Sequence, residues 1–304
     1  MHDERYSTTC CLITEKPSCF DKSIDGTITL LKTSACDQKI AEGGLRLKGF
    51  FKTGSEEKPL ITVVTVVYNG EEHLEETIKS VINQDYQNVE YIIVDGGSKD
   101  GTLDIITKYE HAIDYWVSEP DKGIYDAMNK AIDLASGQWI NFMNAGDFFF
   151  DFEVLSKIFS NWDVFKGFDV VYGDNEVRYP DKKRIAEAGL VEDVWKGGQF
   201  CHQAVFFSCE KRFNIKYDRE YLIAADYDLF CRLLTGGAVF LRVFYPVASV
   251  SSGGVSDKNR FKVYDEWYQA ALRSGVGSRL LLFLNHKLLK VSFFFKRTVK
   301  MVLN

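Results

Sequence analysis

The stretch ITVVTVVYNG at residues 61–70 decides the fold of this 304-residue chain. Its seven consecutive β-branched residues predict a strand buried on both faces, as in a parallel sheet, and the Asn-Gly pair ends it. Apolar residues then recur at helical spacing at Leu74, Ile78 and Val81, so we expect a helix with Asn69 as its N-cap. A buried strand followed by an amphipathic helix is the repeating unit of an α/β fold.

The same unit repeats further along the chain. Strands are predicted at 60–67, 90–94, 114–117 and 139–143, and helices at 74–82, 102–109 and 124–134. Short mixed strands follow between 173 and 208, then a helix over 224–234 and two more strand-like runs. We therefore expect an α/β fold with a doubly wound, mostly parallel sheet, right-handed crossovers and helices on both faces.

Residues that directly follow the strands are the candidates for a site, because ligands of such sheets bind beyond the carboxyl ends of the strands. Four polar segments stand there: YNG at 68–70, DGGS at 95–98, SEPDKG at 118–123 and NAGD at 144–147. No G-x-G-x-x-G follows the first strand and no G-x-x-x-x-G-K-[ST] occurs, which argues against a dinucleotide dehydrogenase and a P-loop NTPase.

Composition sets the class of protein. With 46% hydrophobic and 26% charged residues, the chain is globular rather than disordered. Seven cysteines, an odd number, and a start without an apolar signal-peptide core predict a reducing compartment, so we expect a cytoplasmic protein. The longest apolar run near the C-terminus, 280–284, is too short to span a membrane.

Three segments are expected. Residues 1–58 lack sustained periodicity and predict a loosely structured extension, 59–252 form the α/β domain, and 253–304 form a C-terminal helical region. The cysteines of the extension match no common zinc pattern and are expected to be unpaired thiols: Cys10, Cys11, Cys19 and Cys36.

The C-terminal tail is electrostatically distinct from the rest. The net charge is −6, and since the last 27 residues contribute +6, residues 1–277 carry −12, which argues against nucleic acid as a partner. The tail predicts an amphipathic helix with one apolar stripe: Leu281, Leu284, Leu288, Val291, Phe295, Val299 and Val302. Its basic residues lie opposite or on the flanks: Arg279, Lys287, Lys290, Arg297 and Lys300. We expect it to bind an anionic membrane surface, while packing on its own domain and a dimer seam remain alternatives.

Three ordered segments together resemble the family 2 glycosyltransferases: 65–102 with YNG and DGGS, 119–147 with EPDKG and NAGD, and ADYDLFCRL at 225–233. The resemblance covers about 59–252, and NAGD with HQAVFF at 202–207 is similar to bacterial colanic-acid and capsule enzymes. It implies a GT-A fold and an inverting transfer of a sugar from a nucleotide-diphosphate sugar to a hydroxyl of a lipid-linked or polysaccharide acceptor. It also implies a place in bacterial surface-polysaccharide synthesis, peripheral on the inner face of the cell membrane.

For the nucleoside, the resemblance implies that Asp95 contacts the base or ribose from the end of its strand. The alternative is an aspartate that only shapes its turn. Thr65, Tyr68 and Asn69 would form the opposite wall, with Tyr68 near the base unless it is an ordinary core aromatic residue.

For the diphosphate, the segment DKGIYDAMN at 121–129 opens a helix, and a helix N-terminus offers free N–H groups to phosphate. Lys122 and Asn129 are the candidate contacts. Asp126 and Met128 depart from the small residue and the arginine common in the family, which puts this contact in doubt.

For the metal, family members commonly have Asp-x-Asp-Asp where this chain has NAGD. Asn144 and Gly146 replace two of the carboxylates, so Asp147 becomes the candidate ligand of Mg or Mn, and Asn144 becomes a donor contact. The alternative is that Asp147 caps a helix in the following FFFDFEVL.

For the acceptor, similar enzymes place a proton-accepting Asp where this chain has Asp226, often as Glu-Asp, whereas Ala225 stands here. Asp228 is expected to point away from the site, with Arg232 structural or ion-paired. His202 is either a pocket residue or a structural one, and 195–197 are expected to form a mobile loop over the donor.

Two other functions stay open. A nucleotidyltransferase would need a basic Gly-rich loop after the first strand, which is absent. A non-catalytic membrane-associated scaffold with a decayed sugar-nucleotide site is suggested by the missing carboxylates of NAGD.

Overall fold

The computed structural model describes residues 6–20, 29–33, 38–160, 166–209 and 213–303. The chain divides into two compact units. The first consists of Met1–Ala188, Phe200–Lys216 and Val239–Ser251, and the second of Gly189–Gln199, Tyr217–Ala238 and Ser252–Asn304.

The first unit contains a mixed sheet of ten strands: β1 (Ala41–Gly43), β2 (Ile61–Val67), β3 (Val89–Asp95), β4 (Tyr115–Ser118), β5 (Trp139–Phe142), β6 (Phe148–Phe149), β7 (Val170–Arg178), β8 (Lys183–Ala186), β9 (Val205–Ser208) and β10 (Phe240–Ser251). Their order is β1-β4-β3-β2-β5-β9-β7-β10-β6, with β8 beside β7. The part formed by β2 to β5 is parallel, as predicted, and β7 pairs parallel with β10.

The helices of the first unit are α1 (Leu74–Ile82), α2 (Thr102–Lys108), α3 (Ile124–Leu134) and α4 (Val154–Phe159). Every residue of β2 and β3 is buried, which explains the uninterrupted β-branched sequence of β2 and the apolar run Tyr91–Val94 of β3. Helix α1 buries Leu74, Ile78 and Val81 in the same core. The α/β fold expected from the sequence is confirmed.

Two local predictions are wrong. Asn69 is not the N-cap of α1, because His73 holds that place, and Asn69 adopts a left-handed φ of 50° in the turn before it. The FFFDFEVL segment does not begin as a helix, because Phe148 and Phe149 pair antiparallel with β10, and α4 starts only at Val154. Asp147 therefore caps no helix directly after it.

The described part of the N-terminal extension is integrated into the sheet, in contrast to the loose segment expected. Strand β1 pairs antiparallel with β4, placing Gly43 opposite Trp116. Two cations beyond β1 are buried in ion pairs: Arg46 with Glu90 of β3, and Lys52 with Asp114, the residue before β4. Residues with this burial cannot detach without exposing charges in the core. Cys36 lies outside the described residues.

The second unit contains α5 (Ala225–Thr235), α6 (Val255–Lys258), α7 (Arg260–Ser274) and α8 (Arg279–Leu303). The predicted tail helix is present as α8. Leu282 is buried, His286 stacks on Tyr268 at 4.7 Å, and Phe293 meets Phe261 edge-on at 5.2 Å. Helix α8 therefore packs one side against α7.

The apolar stripe predicted for the tail is not the side that packs. Five of its residues, named here the exposed stripe, are between 49% and 65% exposed: Leu281, Leu284, Leu288, Val291 and Phe295. The side chains of Val299, Val302, Arg297 and Lys300 lie outside the described ones. Among the described residues, none of the helices combines the length and apolar character needed to cross a bilayer.

Candidate active site

The carboxyl ends of β2, β3 and β4 are tied together by hydrogen bonds. The backbone N–H of Asn69, after β2, donates to Ser98 Oγ at 2.7 Å, and the N–H of Gly70 donates to Thr102 Oγ1 at 2.9 Å. The hydroxyl of Ser118, the last residue of β4, donates to Asp95 Oδ2 at 2.6 Å. The polar segments that follow these strands therefore meet at one edge of the sheet, as predicted.

Asp95 is fully buried at this edge, and its carboxylate is occupied by its own surroundings. Oδ2 accepts from the N–H of Gly97 at 3.2 Å and of Ser98 at 3.0 Å, as well as from Ser118. The Ser98 hydroxyl donates to Oδ1. These bonds give Asp95 the turn-shaping role that was the alternative, and its contact with a nucleoside stays a prediction.

Thr65 and Tyr68 have opposite environments. Thr65 is fully buried, and its hydroxyl lies 2.9 Å from the Tyr91 hydroxyl and donates to the Met143 carbonyl at 2.8 Å. Tyr68 is 62% exposed, so it is not a core aromatic residue. Of the two, only Tyr68 presents its side chain to solvent at the edge of the sheet.

Gly96 lies against the side chains of both Tyr68 and Asp121. A Cβ added there would lie 2.6 Å from Asp121 Oδ2 and 3.4 Å from the Tyr68 ring, so any larger residue would displace the Asp121 carboxylate. Burial raises the pKa of Asp121, and the charges of Asp126 and Asp95 add to this. Sequence reasoning gave Asp121 no role, although it stands in the DKG segment.

The start of α3 is occupied by acidic side chains. The N–H of Lys122 donates to Asp126 Oδ2 at 3.1 Å, and the N–H of Gly123 donates to Asp121 Oδ1 at 2.8 Å. These two N–H groups are therefore already bonded to carboxylates and are not free for phosphate. The Lys122 side chain is exposed, and the carbonyl of Asn129 accepts from Lys216 at 2.8 Å.

The NAGD loop after β5 lies beside the segment before β9. Asn144 Nδ2 lies 3.0 Å from His202 Nε2, and Asp147 Oδ2 accepts from Gln203 Nε2 at 2.6 Å. Asp147 Oδ1 accepts from the N–H of Ser251 at 3.0 Å. Burial raises the pKa of Asp147, although these contacts partly oppose the shift. The structure therefore brings together three predicted residues: Asn144, Asp147 and His202.

Arg178 is a charged neighbour of this loop that sequence reasoning missed. Its guanidinium donates to the Gly146 carbonyl and, at 2.7 Å, to Ser251 Oγ, and it lies 3.7 Å from the centre of the Phe148 ring. Burial lowers its pKa, while the carboxylate of Asp147 favours the charged form. Nothing in the sequence around Arg178 marks it, because it reaches the loop only through the pairing of β7 with β10.

The NAGD loop carries oxygen atoms that are candidate ligands for a divalent cation, which would also bind the diphosphate. The described residues contain no group of three or more His, Cys, Asp or Glu side chains arranged to hold a metal ion. Asn144 is buried, and its Oδ1 atom has no hydrogen-bond partner there, so one amide oxygen is available in addition to the Asp147 carboxylate. Hard oxygen ligands of this kind, with one or two carboxylates and substrate phosphates, are what Mg²⁺ takes. The NAGD loop thus carries two oxygen-bearing side chains of the kind that such an ion binds, while both carboxylate oxygens of Asp147 accept hydrogen bonds from Gln203 and Ser251.

In the second unit, Asp226 lies in the first turn of α5 and is partly exposed. Its Oδ1 accepts from the N–H of Tyr227 at 2.8 Å. Asp228, expected to point away from the site, does not face solvent. It is buried, and Arg232 Nε donates to its Oδ2 at 2.7 Å, so Arg232 is the ion-paired residue that the sequence suggested.

The segment expected to form a mobile loop is held by the helices of its own unit. Asn285 Nδ2 of α8 donates to the Lys196 carbonyl at 2.9 Å. Gly197 has a φ of 131°, and a Cβ there would lie 2.6 Å from the Trp267 ring of α7. The two glycines at 197–198 let the backbone lie directly against this indole.

Known proteins share this sequence pattern and this fold. The chain is 28% identical to a PGL/p-HBAD biosynthesis glycosyltransferase of Mycobacterium bovis over 241 residues, which is 77% of this chain and 92% of that protein. It is 39% identical over 93 residues to the putative teichuronic acid biosynthesis glycosyltransferase TuaG of Bacillus subtilis, covering 30% of this chain and 37% of TuaG.

A solved structure is similar in fold. The mannosyltransferase PcManGT of Pyrobaculum calidifontis, in complex with GDP-Man and Mn²⁺, superposes with a TM-score of 0.58 at 18% identity. The superposition covers 73% of this chain and 65% of that one.

The glycosyl transferase family 2 model matches residues 62–225. This region begins in β2, contains all four polar segments at the sheet edge and ends at the start of α5. Because the match spans more than half of the chain, this protein belongs to glycosyl transferase family 2 and is a glycosyltransferase.

Proposed function

We propose that this enzyme transfers a sugar, with inversion, from a nucleotide-diphosphate sugar to a hydroxyl of a lipid-linked or polysaccharide acceptor. The observation that carries the proposal is the family match over 62–225, since that region includes every loop that forms the polar edge of the sheet. The relative in Mycobacterium bovis is a biosynthetic glycosyltransferase, and TuaG is named for teichuronic acid biosynthesis. A scaffold with a decayed site is not favoured, because these relatives are named as enzymes.

The nucleoside is assigned to the edge between β2 and β3. Tyr68, exposed beside Gly96, offers a ring face to the base, and Asn69 and Asp95 shape the two loops around it. Thr65 supports this wall from beneath by bonding to Tyr91 and to the Met143 carbonyl. Specific recognition of this kind needs few polar groups in a preformed cleft.

The diphosphate is assigned to the NAGD loop. Asp147 and Asn144 would hold Mg or Mn together with the diphosphate, and a bound cation supplies charge that stabilises the leaving group. The neighbour in fold, PcManGT, was solved with GDP-Man and Mn²⁺. His202 orients Asn144 through the 3.0 Å contact, while Lys122, exposed ahead of α3, is available to the phosphates.

Asp226 is assigned as the general base. Its carboxylate takes the proton of the acceptor hydroxyl while the hydroxyl oxygen forms a bond to the anomeric carbon and the bond from that carbon to the diphosphate breaks. A single displacement of this kind inverts the anomeric centre. The partial exposure of Asp226 and its position at the start of α5 are compatible with access by an acceptor.

We assign the exposed stripe of α8 to an anionic membrane surface, and we propose that the enzyme is peripheral on the inner face of the cell membrane. Leu284 and Leu288 are more than half exposed, and Lys287 between them is exposed as well. Each Lys or Arg near an anionic surface contributes about 1 kcal/mol. A lipid-linked acceptor would lie at the same surface.

The test is transfer from a panel of labelled UDP- and GDP-sugars to alkyl glycosides in phosphatidylglycerol vesicles, with and without EDTA. We expect one donor to be consumed in a metal-dependent reaction with an inverted product. Asp226→Asn is expected to abolish transfer with nucleotide affinity retained, whereas Asp265→Asn, an exposed carboxylate variant on α7, is the matched control. Retained anomeric configuration, or full activity of Asp226→Asn, would contradict the mechanism.

A further inference from the structure

Helix α7 lies outside the region that the family model matches, yet it bonds to the segment directly before Asp226. The Glu266 carboxylate accepts from three consecutive backbone N–H groups. Leu222 donates to Oε1 at 3.2 Å, and Ile223 and Ala224 each donate to Oε2 at 2.9 Å. A side chain more than forty residues away in sequence therefore fixes the backbone where α5 begins.

This backbone has no local substitute for Glu266. The first N–H groups of a helix lack partners within the helix, and Ser, Thr, Asp or Asn at the N-cap usually provides one. The N-cap of α5 is Ala224, which has no side-chain oxygen. A carboxylate at a helix N-terminus is also favoured by the helix dipole. Glu266 thus binds the N–H of the N-cap residue and the two N–H groups before it, where Leu222, Ile223 and Ala224 offer no side-chain acceptor of their own.

A second bond pair holds the same segment from the other end. Arg273, two turns further along α7, donates to Asp218 and to Glu220, both at 2.8 Å. Between them, Arg273 and Glu266 fix both ends of 218–224 on one helix. Tyr227, the residue after Asp226, adds a ring contact with Trp267 of α7 at 5.5 Å.

The position of Asp226 depends on this first turn. Its Oδ1 accepts from the N–H of Tyr227, so the carboxylate is oriented by the backbone of the turn that Ala224 opens. If 222–224 lose their acceptor, the turn frays and the carboxylate loses its fixed direction. Small misplacements of a reacting group have large effects on rate, because about 1 Å can cost on the order of 100-fold.

We propose that Glu266 is a positioning residue that holds Asp226 in place for deprotonation of the acceptor. This rests on the proposed role of Asp226 as the general base. The role of Glu266 is confined to the backbone directly before Asp226, so we expect it to act on the rate of transfer and not on affinity for the nucleotide sugar.

The test compares Glu266→Gln, Glu266→Asp, Asp226→Asn and the control Asp265→Asn in the full-length enzyme. Hydrogen exchange of the amides at 222–224 is read together with kcat and KM, using the donor and alkyl glycoside that the panel identifies. An amide side chain has one acceptor oxygen instead of two, so it cannot serve three N–H groups equally.

For Glu266→Gln we expect exchange at 222–224 to accelerate at least about tenfold and kcat to fall about 10-fold to 100-fold, with KM for the nucleotide sugar within about twofold of wild type. Glu266→Asp should be intermediate, and Asp265→Asn should match wild type. If Glu266→Gln does not fold, Glu266→Asp tests the same role through a smaller acceleration of exchange and a smaller fall in kcat.

Unchanged exchange or unchanged kcat in the Glu266 variants overturns the positioning role. A loss of affinity for the nucleotide sugar as large as the loss of kcat in these variants overturns it as well. Loss of transfer in Asp226→Asn together with normal Glu266 variants overturns this role alone, whereas full activity of Asp226→Asn overturns the base assignment and the positioning role with it.

Discussion

The buried pair between Lys52 and Asp114 predicts that the N-terminal segment is required for stability of the sheet. Lys52 Nζ lies 2.6 Å from Asp114 Oδ1, and the two side chains are 0% and 2% exposed. Asp114 Oδ2 also accepts from the N–H of Tyr91 in β3 at 2.8 Å. The perturbation is Lys52→Met, which keeps the length of the side chain and removes its charge.

The expected cost follows from this burial. Burial raises the pKa of Asp114 and lowers that of Lys52, so loss of hydration outweighs the mutual attraction at both groups. Such a pair contributes little net stability, but removing one partner leaves a buried charge and costs about 3–5 kcal/mol. The carboxyl then has a folded-state pKa further above its unfolded value. The loss should therefore shrink as pH falls and the group is protonated, and grow as pH rises through that pKa.

The assay is urea unfolding followed by circular dichroism at several pH values. A second variant, Lys52→Met with Asp114→Asn, should recover most of the loss, because the amide oxygen still accepts from Tyr91. The control is Lys48→Met, whose side chain is 51% exposed in its pair with Glu110 and should change stability by less than about 0.5 kcal/mol. A Lys52→Met variant within about 1 kcal/mol of wild type would refute the reasoning.

Three further predictions concern the site and the tail. Asp147→Asn should weaken nucleotide binding at least about tenfold in the presence of Mn²⁺ and remove its metal dependence. Because burial raises the pKa of Asp147, the metal-dependent affinity of the wild type, measured by calorimetry, should increase as pH rises through that pKa. The affinity of the variant should not change with pH in this way. Gly197→Ala, which puts a Cβ 2.6 Å from the Trp267 ring, should lose about 1–3 kcal/mol in thermal unfolding, while Gly254→Ala, with no atom within 4 Å, should be neutral. Leu288→Glu on the exposed stripe should leave the melting temperature unchanged and reduce sedimentation with phosphatidylglycerol vesicles at least about tenfold; equal sedimentation of both proteins at low salt would contradict the membrane proposal.

The parallel part of the sheet was predictable because burial on both faces constrains sequence strongly. The strand predicted at 90–94 is β3 at Val89–Asp95, and the helix predicted at 124–134 is α3 at Ile124–Leu134. The meeting of polar loops at one edge followed from the topology alone. That position did not reveal whether a side chain is free to bind a ligand. The Asp95 carboxylate accepts hydrogen bonds from Ser98 and Ser118, which sequence spacing cannot show.

Contacts between distant segments were not predictable. Strand β1 has three residues, too few for any periodicity, and the carboxylate that pairs with Arg46 stands in β3. Asp228 was expected to point away from the site because it lies two residues from Asp226 on a helix, and the sequence did not reveal its burial. Helix α5 is instead buried on most sides, and a buried carboxylate is tolerated there because Arg232 follows one turn later. Asp228 is therefore unsuitable as a control for Asp226, whereas the side chain of Asp265 is 52% exposed and pairs with His286 and Lys290 of α8.

Helix α8 shows why periodicity can identify a helix without identifying its buried side. Apolar residues stand on more than one face, and the side that packs is chosen by the aromatic residues of α7, which receive Leu282, His286 and Phe293. The predicted stripe is left open, so packing within its own unit does not explain its apolar character. A parallel copy of the helix would bring Lys287 and Lys290 close to their equivalents, which like charges oppose. The proposed anionic lipid surface would meet both requirements, since it would bury Leu284 and Leu288 and attract Lys287 between them.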